Sequence, residues 1–257
     1  MARIISQDEM DAAERFGTFV PVYKVDSKTI VKTGSSVRKS EAETMRFIRD
    51  RTTIPVPEVY NAYTDQQTGK GWIVMEFIPG DNLDKVWDNY TDTEKESVIS
   101  LLRGYMDELR CIKGTFIGSV DGSPCNDQYF DSTPDGYGPF ADEEEFNRGI
   151  VAALKEAVPE DWSSFTCDMW LEVMKGHEVV MTHNDLDPRN ILVRGSEVVA
   201  LLDWELSGYY PEYWEYCKAL RRPTWQSGWI RDRALEKVLK PYRKELAVMW
   251  NTREIIW

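Results

Sequence analysis

Histidine and cysteine are scarce in this sequence, and both shortages restrict the chemistry available to it. Only two of the 257 residues are histidine, His177 and His183, so a metal site that needs two or three histidine ligands is nearly excluded. The four cysteines are scattered and form no C-x-x-C pair. This argues against a zinc knuckle or a disulfide framework and fits a reducing compartment.

Long apolar runs are also missing. No run approaches the length that spans a bilayer. The N-terminal stretch MARIISQDEMDAAERF has acidic residues where a signal peptide needs apolar ones. We therefore expect a cytoplasmic protein without a membrane partner.

Positive charge is in deficit. Lysine and arginine number 31 against 44 aspartates and glutamates, which gives a formal net charge of −13. Such a field repels a phosphate backbone, and no basic stripe overrides it, so we expect no nucleic-acid partner. The acidic surface either steers a cationic substrate or only keeps the protein in solution, and both interpretations stay open.

The first third of the chain has the pattern of a β-rich lobe. Runs of β-branched and aromatic residues predict strands at 19–25, 29–32, 58–63 and 71–77, with a helix over 40–51 between the second and third. Pro79-Gly80-Asp81 then interrupts the chain. We place the domain boundary there, with an N-lobe of residues 1–78 and a C-lobe of residues 79–257.

The C-lobe is predicted to be mostly helical. Apolar residues at helical spacing predict helices over 93–113, 142–157 and parts of the last 45 residues. Residues 118–140 are rich in Gly, Pro, Asp and aromatics and predict a long loop with a role in function. Two short apolar runs, 179–182 and 198–202, predict strands next to the segments that carry the candidate catalytic residues.

The strongest motif is HNDLDPRN at residues 183–190, followed by the apolar run ILV. In it Asp185 precedes Asn190 by five positions, the arrangement of the catalytic loop in the protein-kinase fold. A carboxylate there can orient an acceptor hydroxyl, and an amide oxygen can bind Mg²⁺. A second carboxylate, Asp203, follows the next apolar run, where it can chelate the metal that bridges the phosphates.

Two motifs resemble the signatures of the aminoglycoside phosphotransferase and choline kinase superfamily, namely HNDLDPRNILV and LLDWE. A third segment, PEYWEY at residues 211–216, resembles a segment of the compact fungal-type members of that superfamily. The resemblance covers residues 20–216. It implies an α+β, protein-kinase-like, two-lobed fold and an ATP- and Mg²⁺-dependent small-molecule kinase. Asp185 is then the catalytic residue, and Asn190 and Asp203 are the metal ligands.

The same resemblance assigns roles in the N-lobe. Lys32 corresponds to the lysine that holds the α- and β-phosphates, and Glu41 to its acidic partner, although Glu43 competes for that role. The run WIVMEFI resembles the strand and hinge that read adenine, with Glu76, Phe77 and Ile78 at the hinge. The implied acceptor is a small hydroxylated molecule, expected to be cationic, and the oligomeric state is left open.

Several departures from the pattern keep other functions open. No G-x-G-x-x-G lies between the first two predicted strands, and only Gly17-Thr18-Phe19 precedes the first. A pseudokinase that acts as a binding module is therefore one alternative, and a nucleotidyl transferase is another. A protein kinase is disfavoured because residues 203–211 leave no room for an activation loop. Glu212 and Glu215 line an acceptor pocket or belong to a charged helix face.

Overall fold

The structure is a computed structural model that describes residues 3–16, 20–127, 130, 137–157, 160–221, 223–224 and 226–256. Side chains are described for these residues except at 157, 160–162 and 253–256. Within this part of the chain, a β-sheet lobe precedes a mostly helical region.

A five-stranded antiparallel sheet dominates the N-terminal part, in the order β1-β2-β3-β5-β4. Its strands are β1 (Glu14–Phe16), β2 (Val22–Lys24), β3 (Thr29–Gly34), β4 (Val59–Thr64) and β5 (Gly71–Glu76). At its centre β3 and β5 pair over six residues, because both carry β-branched side chains that suit a buried, pleated surface. The strands predicted at 29–32, 58–63 and 71–77 are confirmed with small shifts at their ends.

The first predicted strand needs a correction. The prediction of 19–25 corresponds to β2, which is shorter, and both α1 (Gln7–Ala12) and β1 precede it. All three residues of β1 are exposed, so no alternation of apolar and polar residues marks this strand in the sequence. Residues 17–21 therefore connect β1 to β2, and Gly17-Thr18-Phe19 lies outside the described residues.

Helix α2 (Lys39–Arg51) joins the sheet to the rest of the molecule and confirms the helix predicted over 40–51. Ala42 packs in a small cluster with Ile73 of the sheet. Met45 and Ile48, one turn further along, belong to the main core that continues into the helical region. The apolar face of this helix therefore packs against both the cluster beneath the sheet and the main core.

The helical region is built around α4 (Asp92–Cys111). A reciprocal capping box between Thr91 and Glu94 begins this helix, and its buried face includes Val98, Leu102 and Leu109. The other helices are α3 (Leu83–Val86), α5 (Glu143–Ala157), α6 (Glu160–Val173), α7 (Trp214–Ala219), α8 (Gly228–Arg231), α9 (Ala234–Val238) and α10 (Arg243–Ile256).

Helix α6 was not predicted from the sequence. Two of its large apolar side chains, Phe165 and Leu171, are exposed, so the apolar residues do not form one clean stripe. The predictions over 93–113 and 142–157 are confirmed as α4 and α5.

Two small sheets hold the segments that carry the motifs. Their strands are β6 (Asp81–Asn82), β7 (Val179–Thr182), β8 (Ile191–Arg194), β9 (Glu197–Leu201) and β10 (Gly208–Pro211). β6, β8 and β9 form one sheet, and β7 pairs with β10 in the other. Residues 183–190 therefore connect β7 to β8, and residues 202–207 connect β9 to β10. Strands β6 and β10 were not predicted from the sequence.

Candidate active site

His183 organises the loop between β7 and β8 through its ring. Its Nε2–H donates to the Leu202 carbonyl at 3.0 Å, and its Nδ1 accepts from the Asp185 backbone N–H at 3.2 Å. These two contacts require the neutral Nε2–H tautomer. Burial lowers the pKa of His183, which agrees with a neutral ring. His183 therefore supports the loop by hydrogen bonding.

Asp185 and Asn190 lie against each other within this loop. The Asn190 side-chain nitrogen donates to the Asp185 carbonyl at 3.0 Å and to the Asp185 carboxylate at 2.9 Å. Because the amide nitrogen of Asn190 faces Asp185, its Oδ1 is directed away from that residue. The loop thus presents a carboxylate and an amide oxygen at defined positions.

Asp203 lies beside this loop although it is 18 residues later in the sequence than Asp185. The Leu202 N–H donates to the Asn190 carbonyl at 2.8 Å, which joins the two segments immediately before Asp203. Asp203 itself has a left-handed backbone with φ of 64°. This conformation is uncommon for residues other than glycine, and Asp tolerates it better than most. Its Oδ1 accepts from Lys32 Nζ at 2.8 Å.

Lys32 on β3 brings the two lobes of the site together. Its ammonium contacts Glu41 on α2 at 2.9 Å, Asp203 at 2.8 Å and Glu205 at 3.0 Å. Burial by itself lowers the pKa of Lys32, but the three carboxylates outweigh it and hold the pKa well above its usual value. Lys32 is therefore a fixed positive charge.

The ambiguity between Glu41 and Glu43 is resolved by their positions on α2. Glu41 is buried and pairs with Lys32, whereas Glu43 is exposed and pairs with Arg46. Burial raises the pKa of Glu41 while the Lys32 ammonium opposes that rise. The predicted lysine–glutamate contact is thus present with Glu41.

The predicted hinge begins at Glu76, the last residue of β5, and continues into Phe77 and Ile78. The Glu76 N–H donates to Glu58 at 2.9 Å and the Phe77 N–H to Lys28 at 2.8 Å, so both donors are used within the sheet region. No hydrogen bond from the Ile78 N–H occurs among the described residues. The adenine contacts stay a prediction, with Ile78 the amide available to make one.

Glu215 on α7 is a site residue whose role sequence analysis missed. Its buried carboxylate accepts from the backbone N–H groups of His183, at 2.6 Å, and Asn184, at 3.1 Å. It therefore holds the start of the catalytic-loop segment, and its burial contradicts the interpretation as part of a charged helix face, while the acceptor-pocket interpretation stays a prediction. The PEYWEY segment was a signal for its importance but carried no indication of its partner.

Glu205 and Trp204 also have roles that the sequence left open. Glu205 is the third carboxylate on Lys32. Trp204 is fully buried, and its ring centroid lies 4.4 Å from that of His183. The DWE motif thus contributes Asp203 as a metal-ligand candidate, Trp204 as a packing partner of His183 and Glu205 as a further carboxylate in contact with Lys32.

The donor set fits Mg²⁺ that arrives with a nucleotide. Among the described residues no group of three or more His, Cys, Asp or Glu side chains is arranged to hold a metal ion. Asp203 and Asn190 supply one carboxylate and one amide oxygen, and Mg²⁺ commonly takes one or two carboxylates and completes its shell with substrate phosphates and water.

The sequence profile described as the phosphotransferase enzyme family (APH) matches residues 22–247. The chain belongs to this family. The predicted resemblance to the aminoglycoside phosphotransferase and choline kinase superfamily is thereby confirmed, and the protein is a phosphotransferase by family. A comparison with curated protein sequences gives no significant match.

Solved structures of aminoglycoside phosphotransferases share the fold of this phosphotransferase. The GDP complex of aminoglycoside 2′-phosphotransferase-IIIa matches with a TM-score of 0.64 and 12% identity, over 95% of this chain and 83% of that one. The streptomycin–ATP complex of APH(2″)-IIa gives 0.60 and 15%, over 93% and 81%. APH(4)-Ia gives 0.57 and 14%, over 82% and 72%. The predicted α+β, kinase-like fold is confirmed.

The described part of this phosphotransferase contains no helix whose length and apolar character would let it cross a bilayer.

Proposed function

We propose that this phosphotransferase moves the γ-phosphate of ATP to a hydroxyl group of a small, amine-bearing molecule in the cytoplasm. One observation carries the proposal. Asn190 is hydrogen-bonded to Asp185, and its backbone carbonyl accepts from the residue before Asp203. Lys32, which is paired with Glu41, contacts Asp203 from the other lobe.

Each residue has a role in this proposal. Lys32 neutralises charge on the α- and β-phosphates, and Glu41 keeps its ammonium in place. Asp185 orients the acceptor hydroxyl for in-line attack. Asn190 and Asp203 would hold Mg²⁺, which supplies charge neutralisation at the phosphates when bound. Positioning and charge neutralisation dominate over proton abstraction, because phosphoryl transfer has a loose transition state.

A groove beside the catalytic loop supports a cationic acceptor. Three carboxylates line it: Asp84, Asp88 and Asp187. Arg189 also lines the groove and pairs with Asp187, and Arg231 outside it pairs with Asp88, while no ion pair of Asp84 occurs in the described chain. Two of the related structures hold streptomycin and gentamicin. An amine-bearing acceptor would gain favourable charge interactions here.

The nucleotide site is tested first by calorimetric titration of ATP, with and without Mg²⁺, into the protein and into Asp203→Ala. We expect binding that depends on the metal and is lost in the variant. GTP belongs in the same series because one of the related structures is a GDP complex. Absence of binding by the unmodified protein would favour the alternative of a pseudokinase that acts as a binding module, which the missing G-x-G-x-x-G motif suggests.

The acceptor is tested by a panel of amino-alcohols, aminoglycosides, neutral sugars and anionic alcohols, with ADP release as the readout. We expect turnover with amine-bearing compounds, and a higher acceptor KM for Asp84→Asn than for Asp50→Asn at the exposed end of α2. Phosphorylation of only neutral or anionic compounds would contradict the acceptor class. Release of pyrophosphate in place of ADP would indicate nucleotidyl transfer, and release of AMP would indicate transfer of a pyrophosphoryl group.

A further inference from the structure

We infer that Asn126-Asp127, in the chain between α4 and α5, sets the relative position of the two segments that carry Asp185 and Asp203. Asp127 is then a positioning residue for phosphoryl transfer. The inference rests on the proposed function. It adds two residues that belong neither to the predicted metal ligands nor to the predicted nucleotide-binding residues.

Asp127 is the centre of a buried polar network. Its side chain is 0% exposed, and Oδ1 accepts from Lys218 Nζ at 2.9 Å. Its Oδ2 accepts from the Asn184 side-chain nitrogen at 2.7 Å and from Trp214 Nε1 at 3.1 Å. A buried carboxylate is costly unless it is paired and hydrogen-bonded. These donors offset that cost, and the hydrogen bond to Asp127 restrains the position of the Asn184 side chain.

Asn184 transmits this restraint to the catalytic loop. It directly precedes Asp185 and has a left-handed backbone with φ of 70°. Its amide nitrogen donates a second hydrogen bond, to the Leu206 carbonyl at 2.9 Å. One side chain therefore connects the segment before Asp185, the segment after Asp203 and the buried carboxylate of Asp127.

Asn126 adds a parallel link. Its side-chain nitrogen donates to the Glu205 carbonyl at 2.8 Å. The dipeptide therefore contacts both loops at once, through Asn184 on one and Glu205 on the other. Misplacement of reacting groups by about 1 Å can cost about 10²-fold in rate, and this network restricts such displacement between Asp185 and Asp203.

Asp127→Asn is the principal test, because it keeps the shape of the side chain and leaves the Lys218 ammonium without its carboxylate. We expect the rate of ADP release from Mg²⁺·ATP, with water as the acceptor, to fall about 10- to 100-fold. The Kd for ATP should change less than about threefold, since Lys32 and Asp203 are untouched. Asp121→Asn, at an exposed position of the same segment, should change neither quantity.

Hydrogen–deuterium exchange gives a readout that does not depend on activity. In Asp127→Asn we expect faster amide exchange over residues 183–190 and 203–207, and unchanged exchange over β3 and β5. Unchanged exchange in both loops, or unchanged ADP release from the folded variant, would overturn the inference. If the unmodified protein binds no nucleotide, the proposed function fails while the exchange experiment still decides the positioning network.

Asn184→Gly keeps the test decisive if Asp127→Asn does not fold. Glycine accepts the left-handed backbone without strain, so this variant removes the Asn184 side chain without distorting the loop backbone. We expect the same loss of ADP release with ATP affinity retained. The double variant should lose no more than the more affected single one, because both remove the same link. Full additivity of the two losses would contradict a shared network.

Discussion

The two sides of the active site are held together by different forces. On the lysine side, one ammonium is shared by three carboxylates from two segments of the chain, Glu41 on α2 and Asp203 and Glu205 between β9 and β10. On the loop side, backbone amides and the neutral side chains of His183 and Asn190 donate to carbonyl and carboxylate oxygens, among them the buried carboxylate of Glu215. The lysine side therefore depends on charge that a ligand can rearrange, whereas the loop side is preorganised by hydrogen bonds that a ligand does not need to break.

Exposure divides the lysine side further. The side chains of Lys32 and Glu41 are 6% and 3% exposed, whereas those of Asp203 and Glu205 are 35% and 28% exposed. The inner pair is thus a permanent part of the fold. The outer carboxylates are partly open to solvent, so in the proposed function their contacts with Lys32 are the ones that a nucleotide and its metal would replace.

The largest expected effect comes from removing the outer carboxylate at Asp203. In Asp203→Ala we expect turnover to fall at least about 10³-fold, because several kcal/mol of charge stabilisation by the metal is lost. Calorimetry should also show that ATP binding no longer responds to Mg²⁺. Asp50→Ala serves as a control at an exposed position. Metal-dependent binding that survives in Asp203→Ala would remove this residue from the metal site.

Asp185→Asn tests the loop side without altering its shape. We expect kcat to fall about 10²- to 10⁴-fold, since the carboxylate that orients the hydroxyl is lost. The Kd for ATP should stay unchanged, because the asparagine oxygen can still accept the hydrogen bond from Asn190, and Lys32 and Asp203 are untouched. Steady-state kinetics with calorimetry on the same sample checks both. Near-normal turnover would show that Asp185 does not orient the acceptor.

Glu41→Gln tests whether the inner pair is a brace for Lys32. We expect the KM for ATP to rise about tenfold, corresponding to about 1.4 kcal/mol, because the lysine loses its buried charge partner. Glu43→Gln is a matched control two residues away on the same helix, and it should behave as the unmodified protein does. Equal effects of the two substitutions would mean that the buried contact does not position Lys32.

A charged contact outside both sides of the site should have the smallest effect on turnover. His177 lies between Glu143, at 2.6 Å, and Glu245, at 3.5 Å. Burial by itself lowers its pKa, but the two carboxylates outweigh it, and the pKa of His177 is raised above its usual value.

This shift gives a pH dependence of stability with a defined sign. A raised histidine pKa contributes stability that is fully present below about pH 6.5 and is lost as pH rises through the folded-state pKa. Thermal melts should show that His177→Gln is more destabilising at pH 6 than at pH 8.5, while ATP affinity stays unchanged. A difference between the two proteins that does not vary with pH would contradict the assignment.

The kind of contact that a site residue makes decides whether its role could be predicted from the sequence. Asp185 and Asn190 were identifiable because they are five residues apart in one loop between two apolar strands. Lys32 was identifiable from its place in a strand ahead of a helix. Glu215 was not, since its partners are the backbone amides of His183 and Asn184, and a backbone contact leaves no pattern in the sequence.

The fold shows the same division. Strands β3, β4 and β5 were predicted from runs of β-branched and aromatic residues, and helices α2 and α4 from apolar residues at helical spacing. β1, with three exposed residues, and α6, with Phe165 and Leu171 exposed, have no such pattern and were missed.

By itself, the sequence determined the local units: the catalytic-loop spacing, the strand that bears Lys32 and the family to which the phosphotransferase belongs. Only the tertiary structure decided the partners: Glu41 in place of Glu43 at the lysine, Glu215 on the loop amides, and Asp127 beneath Asn184. The physical reason is that these contacts join residues 9 to 57 positions apart, and burial selects among several similar carboxylates only after the chain has folded.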